Sequence, residues 1–276
     1  STLMRSSAAS DVYKRQAYRD ALETYGSDKP DLRNPLTVCD ISEIMQGCGF
    51  AAVEGKIVKA IAVPDANIAR KQIDKLAEEF KVKTESGAMF WFNLDENAQP
   101  AGGIAKFVAE RIDALKEKLS IGAGAFVAVL AEDKLSLAQK RAGVLRTMLG
   151  NALDLLEKNV YRFCWIVDFP MYEIGEESGQ LEFCHNPFSM PQGGMKALEE
   201  KDPLEVLAYQ YDIVCNGVEL SSGAVRNHDP EIMVKAFSLV GLGKEDVVKK
   251  FPALYHAFEY GAPPHAGVAP GVDRMG

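Results

Sequence analysis

Four side chains that can bind charge or metal are spaced along one apolar stretch. Residues 211–226 read YDIVCNGVELSSGAVR and carry Asp212, Asn216, Glu219 and Arg226. Carboxylate oxygens suit Mg²⁺, and the planar arginine fork can bind another carboxylate in two places. The pattern predicts an active-site strand over residues 211–220 with a flexible SSG turn before the arginine.

Asp212 and Glu219 lie seven positions apart, so strict alternation would place them on opposite faces of a sheet. One extra residue in the strand would return them to a common face. Asn216 and Gly217 are the predicted site of that bulge, because glycine tolerates positive φ.

Each candidate also has a plain structural interpretation. Glu219 could be a solvent-facing carboxylate on an edge strand. Arg226 could be a surface arginine paired with Asp229 or Glu231 at the start of the next helix. His185, where a predicted strand ends before a proline, could lie over a substrate pocket or could be a capped loop histidine.

Small residues mark a second segment, residues 263–275, which reads PPHAGVAPGVDRM. Gly267, Ala269 and Gly271 leave one strand face nearly bare, so a flat adenine or a phosphate could approach the backbone, with Arg274 projecting at the end. Tight packing is the alternative reading of the same pattern.

Composition limits the function classes. The 276 residues are 47% hydrophobic and 25% charged, which suits two ordinary cores. The net charge of −8 argues against a protein that wraps nucleic acid with a generally basic surface, although a local basic face could still attract a polyanion. Five cysteines without C-x-x-C spacing indicate a reducing, cytoplasmic compartment. No apolar run approaches the ~20 residues of a membrane helix, so no membrane role is expected.

Residues 37–156 alternate strand and amphipathic-helix patterns, which predicts a small α+β module. The predicted strands are 57–63, 88–94 and 125–130, and the predicted helices are 66–80, 103–119 and 136–156.

After Lys158 strands dominate, and the pattern predicts a sheet with helices on one face. The predicted strands are 161–173, 181–184, 211–220 and 267–272, and the predicted helices are 230–240 and 245–260. Residues 1–16 show no hydrophobic period and are interpreted as a non-native or disordered leader.

Five segments together resemble bacterial aspartyl-tRNA synthetases, which are class II synthetases, over residues 17–276. They are TYGSDKPDLRNP at 24–35, WIVDFPMYE at 165–173, HNPFSMPQ at 185–192, residues 211–226, and GVDR at 271–274. The resemblance implies an α+β fold, in which an antiparallel catalytic sheet flanked by helices (17–36 and 157–276) is interrupted by a smaller inserted α+β domain (37–156).

The resemblance also implies roles for individual residues. It implies that His185 and Arg226 contact aspartate. It implies that ATP is contacted by Glu219, Gly271, Val272, Asp273 and Arg274. It also implies that Glu219 and Asp212 bind magnesium together with ATP. The implied catalytic set is Glu219, Arg226 and Arg274.

The implied activity is aspartate–tRNA ligation: ATP-dependent formation of aspartyl-adenylate, then transfer to tRNA(Asp), with tRNA(Asn) left open. A homodimer is expected. Two local departures are Ser221-Ser222-Gly223 where many members have three glycines, and Asn186 where others have a second histidine. The anticodon-binding domain and the first two class II motifs lie upstream in the family, so the chain as given is expected to be inactive.

Two other functions stay open at this point. An aspartate–ammonia ligase would share Arg226 and Glu219 but would need no anticodon domain. A truncated, non-catalytic paralogue would bind tRNA or a protein partner through residues 37–156.

Overall fold

The computed structural model describes residues 13–66 and 68–275, which divide into two compact units. One unit comprises residues 20–162, and the other comprises residues 13–19 with 163–275. Each unit contains its own five-stranded sheet with helices, so the predicted α+β class is confirmed.

The strands are β1 (Tyr13–Ala17), β2 (Val38–Asp40), β3 (Ile57–Val63), β4 (Phe90–Leu94), β5 (Pro100–Ala101), β6 (Phe126–Glu132), β7 (Phe163–Pro170), β8 (Tyr172–Ile174), β9 (Leu181–Phe183), β10 (Leu207–Cys215), β11 (Val218–Val225) and β12 (Ala266–Pro270). The helices are α1 (Tyr18–Tyr25), α2 (Ser42–Met45), α3 (Arg70–Lys83), α4 (Ala105–Val108), α5 (Ile112–Leu119), α6 (Leu135–Ala152), α7 (Gly194–Glu200), α8 (Pro230–Leu239), α9 (Lys244–Lys250), α10 (Pro252–Glu259) and α11 (Val272–Met275).

The sheet of residues 20–162 has the order β2-β3-β6-β4-β5, with every neighbouring pair antiparallel. Its central strands β3, β6 and β4 are mostly apolar because both faces are covered, and Lys59 on β3 is a buried exception. Phe126, Ala128 and Leu130 of β6 pack against α3 and α6, whereas Val127 and Val129 pack against α2, α4 and α5.

Two predicted helices are interrupted. A 3₁₀ turn at Ala109–Arg111 separates α4 from α5 within the predicted helix 103–119. Pro252 separates α9 from α10 within the predicted helix 245–260, because proline lacks the N–H that would continue the ladder and instead starts a new helix. In the part of the chain that the structure describes, no helix is both long and apolar enough to cross a bilayer.

The loop that follows α1 is built into the first unit by a buried arginine. Arg146 on α6 is 3% exposed, and its guanidinium donates to the carbonyl oxygens of Leu36 (2.6 Å), Asn34 (2.7 Å) and Asp31 (3.0 Å). The amide of Asn34 donates back to the carbonyl of Arg146 at 2.9 Å. These contacts tie residues 31–36 to the compact unit of residues 20–162, which starts before the predicted domain boundary at 37.

Two glycines let the same loop approach α6 closely. A Cβ on Gly143 would lie 2.3 Å from the carbonyl oxygen of Gly26, and a Cβ on Gly26 would lie 2.3 Å from the backbone nitrogen of Gly143. Gly26 also has φ of 67°. Neither position can carry a side chain without moving backbone.

The second unit has the sheet order β1-β7-β10-β11-β12, in which only the β1–β7 pair is parallel. Tyr13 pairs with Phe163 and Ala17 with Val167. Residues 13–16 therefore form a strand, which contradicts a disordered leader at these positions, while the non-native interpretation stays a prediction. The leader prediction for residues 1–12 lies outside the described residues. β12 ends the sheet, and most of its side chains are exposed.

The predicted single strand 211–220 is wrong, because the chain reverses within it. Asn216 and Gly217 have φ of 50° and 84° and form the two-residue turn of a β-hairpin, with Cys215 paired to Val218 across it. Asn-Gly suits a type I′ turn because both central residues need positive φ. This dipeptide joins β10 to β11 and is not a bulge.

The bulge lies three residues later, on β11. Ile213 pairs with Ser221 and Val214 pairs with Glu219, so Leu220 is the extra residue. Residues paired across an antiparallel ladder point to the same face. Asp212 shares its face with Val214, so the bulge places Asp212 and Glu219 on a common face, as the sequence argument required.

Residues 188–192 separate β10 from β11 beyond the last direct pair, Gln210 with Ala224. The N–H of Met190 donates to the carbonyl of Val225 at 2.8 Å, and the N–H of Tyr209 donates to the carbonyl of Met190 at 2.9 Å. The segment that follows His185 is therefore held by both strands of the hairpin.

Candidate active site

The candidate site lies on one face of the second sheet, in rows that run across β10, β11 and β12. One row contains Asp212, Ser222 and Ala269, and the next contains Ala224 and Gly267. Residues in one row point to the same side of the sheet. The β12 side of this face is open, since Ala269 is exposed and Ser222 and Gly267 are partly exposed.

Arg226 lies flat on this face. A Cβ at Gly267 would be 3.0 Å from its Nη2 and 3.2 Å from its Nε, so the guanidinium packs directly over the glycine. Its backbone N–H donates to the carbonyl of His265 at 2.9 Å. Within the described residues, the guanidinium has no ion pair.

The alternative role for Arg226, a surface pair with Asp229 or Glu231, is therefore wrong. The Oδ1 of Asp229 instead accepts the N–H groups of Glu231 (2.8 Å) and Ile232 (3.2 Å) and caps α8. The arginine fork is left available for a ligand carboxylate.

The segment Ser221-Ser222-Gly223 is part of β11, which corrects the prediction of a flexible turn. A Cβ at Gly223 would lie 2.5 Å from the ring of Tyr211, and the Tyr211 hydroxyl donates to the carbonyl of Gly267 at 3.1 Å. Glycine is needed here for the close approach of an aromatic ring. The residues that precede Arg226 therefore form an ordered strand.

His185 follows β9 and has an exposed ring. The ring contacts Phe169 and Tyr18 edge-on, with centroid distances of 5.0 Å and 5.7 Å, and its nitrogens make no hydrogen bond to the described residues. Ser189, four residues later, pairs with Arg226. The segment that begins at His185 therefore runs alongside Arg226, so the two residues predicted to contact aspartate belong to neighbouring backbone segments of one unit.

Asn186, where other family members have a second histidine, has a local structural role. Its Oδ1 accepts the N–H of Phe188 at 2.9 Å, and its own N–H points at the Oε1 of Gln210 at 3.4 Å. The asparagine therefore starts the turn that leads from His185 into the segment 188–192.

The predicted ATP contacts come together at the other end of β11. The Nη1 of Arg274 lies 3.5 Å from the Oε1 of Glu219 and donates to its carbonyl at 2.8 Å. The N–H of Gly271 donates to the carbonyl of the bulge residue Leu220 at 2.8 Å. A Cβ at Gly271 would lie 3.1 Å from the Cδ of Arg274, so a side chain here would displace the Arg274 side chain slightly.

Strand β12 ends at Pro270, two residues earlier than predicted. Val272 and Asp273 begin α11, and both are exposed. Gly271, with its N–H bound to Leu220, makes the corner between the strand and this short helix.

A complete protein-built metal site is absent from the described residues, where no group of three or more His, Cys, Asp or Glu side chains is placed to hold an ion. Asp212 is 4% exposed and the Glu219 side chain is 24% exposed. Magnesium at this site would need its remaining oxygen ligands from phosphate and water.

Three residues of this part of the sheet have positions that the sequence pattern does not indicate. Tyr211 covers Gly223, Gly267 supports Arg226, and Ser222 lies within β11. The Asn-Gly dipeptide could have identified them, because a hairpin at 216–217 fixes which residues oppose one another.

The comparison with known families decides the classification. A family profile described as tRNA synthetases class II (D, K and N) matches residues 2–276. The chain belongs to the class II tRNA synthetases. This class II synthetase chain is 47% identical over 274 residues to the aspartate–tRNA(Asp/Asn) ligase of Rickettsia felis, covering 95% of this chain and 45% of that protein.

A second curated relative of the class II synthetase chain is the aspartate–tRNA ligase of Streptomyces coelicolor, 48% identical over 265 residues, with 95% of this chain and 45% of that protein covered. The chain thus spans about 45% of the length of the curated relatives it matches. Among solved structures, the aspartyl tRNA synthetase from Entamoeba histolytica is 16% identical with a TM-score of 0.31, covering 80% of this chain and 39% of that one.

Proposed function

We propose that this chain supplies the aspartate pocket and part of the ATP site of an aspartate–tRNA ligase. The observation that carries the proposal is the Arg226 guanidinium, held on Gly267 without an ion pair among the described residues. It lies on the same sheet face as Glu219 and Asp212. The relatives from Rickettsia felis and Streptomyces coelicolor are aspartate–tRNA ligases, which supports aspartate as the amino acid.

Aspartate would be recognised by its side-chain carboxylate. Arg226 presents a planar fork that accepts a carboxylate in two parallel hydrogen bonds, and its fixed position lowers the entropy lost on binding. The ring of His185 is also held by neighbours yet exposed, so it can form a second contact. The aspartate–ammonia ligase alternative would use the same pocket.

ATP would bind at the Glu219 end of β11. Arg274 provides positive charge for phosphate, and Gly271 provides a backbone free of side-chain atoms. Glu219 and Asp212 share a face and offer the oxygen ligands that Mg²⁺ prefers, so these residues fit a metal held jointly with the ATP phosphates. When bound, Mg²⁺ would supply positive charge to the phosphates.

In the reaction, the α-carboxylate oxygen of aspartate attacks the α-phosphorus of ATP and pyrophosphate leaves, giving aspartyl-adenylate. A terminal ribose hydroxyl of tRNA then attacks the acyl carbon and AMP leaves. Arg226 would hold the side-chain carboxylate of aspartate, at the end away from the reacting α-carboxylate. Arg274 would stabilise the negative charge on the phosphates. No enzyme-bound covalent intermediate is needed.

The test uses the protein translated from the complete reading frame that encodes this chain. Exchange of labelled pyrophosphate into ATP should depend on L-aspartate and not on L-asparagine, and Arg226→Gln should abolish it. Arg70→Gln is the matched control, because Arg70 is an exposed arginine paired with Asp74. An absence of aspartate-dependent exchange in the unsubstituted protein would overturn the proposal.

The same preparation separates the remaining alternatives. Charging of tRNA(Asp) and tRNA(Asn) transcripts measures tRNA range, and ammonia-dependent asparagine formation without tRNA would identify the ammonia ligase. A non-catalytic paralogue would show neither product. The homodimer stays a prediction, which sedimentation equilibrium measures.

A further inference from the structure

The His185 ring belongs to a cluster of three aromatic rings. The ring of Phe169 lies at a centroid distance of 5.0 Å and an angle of 88° to the imidazole, and that of Tyr18 lies at 5.7 Å and 75°. Tyr18 and Phe169 also contact each other, with centroids 4.9 Å apart. His185 is the exposed member of the cluster. Among the described residues, these ring contacts rather than hydrogen bonds hold the imidazole.

Phe169 is the rigid base of the cluster. It is buried on β7 and pairs with Ala208 of β10. The residue before it, Asp168, has φ of 56°, which is uncommon for a residue with a side chain. The Oδ1 of Asp168 accepts a hydrogen bond from the Nε2 of Gln192 at 2.8 Å. Phe169 is therefore fixed by the sheet and by the segment that follows His185.

Tyr18 is the second neighbour of the imidazole and comes from a distant part of the sequence, the first position of α1. Its side chain is partly exposed, unlike that of Phe169. Edge-on contacts between aromatic rings are favourable, so rings on two sides restrict how the imidazole can turn. A side chain that is already oriented loses less entropy when a ligand binds.

The cluster stands beside the candidate face. The backbone N–H of Asn186 points at the Oε1 of Gln210 at 3.4 Å. Gln210 pairs with Ala224, which pairs in turn with Gly267, the glycine under the Arg226 guanidinium. The residue next to His185 is therefore attached to the row of the sheet on which Arg226 lies.

We propose that Tyr18 is a positioning residue of the aspartate pocket: its ring, packed on Phe169, fixes the His185 imidazole in the orientation that contacts the bound aspartate. This assignment rests on the proposed function. Tyr18 acts through His185 and needs no contact with the substrate. The aromatic ring of Tyr18, and not its hydroxyl, carries the role.

Tyr18→Leu removes the ring, and Tyr18→Phe keeps it. In aspartate-dependent pyrophosphate exchange by the protein from the complete reading frame, Tyr18→Leu should raise the KM for aspartate roughly three- to tenfold, as expected for a lost edge-on aromatic contact. Tyr18→Phe should recover most of the affinity, and the KM for ATP should change little in both variants. Tyr18 is chosen over Phe169 because replacing a buried phenylalanine would also leave a cavity in the core.

A double-mutant cycle with His185→Ala separates positioning from a general structural effect. His185→Ala alone should raise the KM for aspartate, and Tyr18→Leu should then add nothing, because no imidazole is left to orient. An equal factor for Tyr18→Leu with and without His185 would overturn the assignment. An unchanged KM for aspartate in either single variant would overturn it as well.

Near-UV circular dichroism checks that each variant is folded. If Tyr18→Leu unfolds, Tyr18→Met takes its place in the cycle, because the flexible methionine side chain fills the space without an aromatic ring. Equal losses of affinity in Tyr18→Phe and Tyr18→Leu would assign the effect to the hydroxyl and overturn the role of the ring. An absence of aspartate-dependent exchange in the unsubstituted protein would instead remove the proposed function, and the positioning role with it.

Discussion

The position of Arg226 is set by the residues around it. Its backbone is bonded to His265 and paired with Ser189, while its guanidinium rests on Gly267. A long side chain that is already held in place loses less entropy when a ligand binds. Arg226 is therefore suited to bind a carboxylate with little rearrangement.

Arg226→Lys should raise the KM for aspartate by at least about 30-fold, roughly 2 kcal/mol, although the positive charge is kept. Lysine cannot form the two parallel hydrogen bonds and would not lie flat on Gly267. Pyrophosphate exchange at varied aspartate measures the change, and the KM for ATP serves as the internal control. Equal KM values for the two proteins would show that Arg226 does not bind the substrate side chain.

Lys59 in the first unit is 1% exposed, and its Nζ lies 2.9 Å from the Oδ2 of Asp40. Partial burial acts to raise the pKa of Asp40, but hydrogen bonds from Ser42 and Lys59 outweigh it and hold the pKa below its usual range. A carboxyl with a lowered folded-state pKa binds protons more weakly in the folded protein than in the unfolded chain. Its contribution to stability is present above about pH 4 and is lost as pH falls further.

The corresponding prediction concerns Asp40→Asn. This variant should be less stable than the unsubstituted protein at pH 6.5, and the gap should narrow as the pH falls below about 4. Urea unfolding at several pH values measures both curves. A gap that stays constant from pH 6.5 to pH 3 would mean that the Asp40 carboxylate does not contribute through its charge.

At the scale of elements, apolar patterns predicted where strands and helices form, but not how strands pair. Strand 57–63 was predicted with the observed bounds of β3. The hairpin at Asn216-Gly217 and the bulge at Leu220 were not predicted, because both depend on the register between β10 and β11. A one-residue shift in register moves a side chain to the other face, so local pattern alone could not place Ser222.

Gly143→Ala should destabilise the protein by about 1–3 kcal/mol, because the new Cβ would collide with the carbonyl of Gly26. A loss of stability would be informative, because helix propensity alone favours alanine over glycine by about 1 kcal/mol and would stabilise the variant. Gly122→Ala is the control, at a position with open space and no positive φ. Urea midpoints for the two variants should differ, and equal midpoints would contradict the close loop–helix contact.

At the scale of the whole chain, the alternation of strand and helix patterns predicted a separate α+β module, but the observed unit is longer at both ends. The residues that extend it are held by backbone carbonyls, such as those that bind Arg146. Carbonyl groups are present at every residue, so the sequence pattern gives no sign of which ones are used. The identity of the module as the inserted domain of bacterial synthetases stays a prediction.

Residues 20–162 expressed alone should unfold in one cooperative transition, because their sheet has a hydrophobic core on each face. Residues 37–156 should be clearly less stable, since they leave the buried Arg146 without its three carbonyl acceptors. Thermal unfolding followed by near-UV circular dichroism compares the two. Equal midpoints would show that residues 20–36 are not part of the folded unit.

Strand β12 ends its sheet and has a second edge that pairs with no other strand in the part of the chain that the structure describes. An unpaired edge offers its N–H and C=O groups to any extended segment, including the same strand of another copy. Val268 is 53% exposed on this strand and adds an apolar contact, whereas Pro270 lacks an N–H and limits how far such pairing can run. A concentrated solution of this polypeptide would therefore associate through β12, and the loss of monomer would grow with concentration.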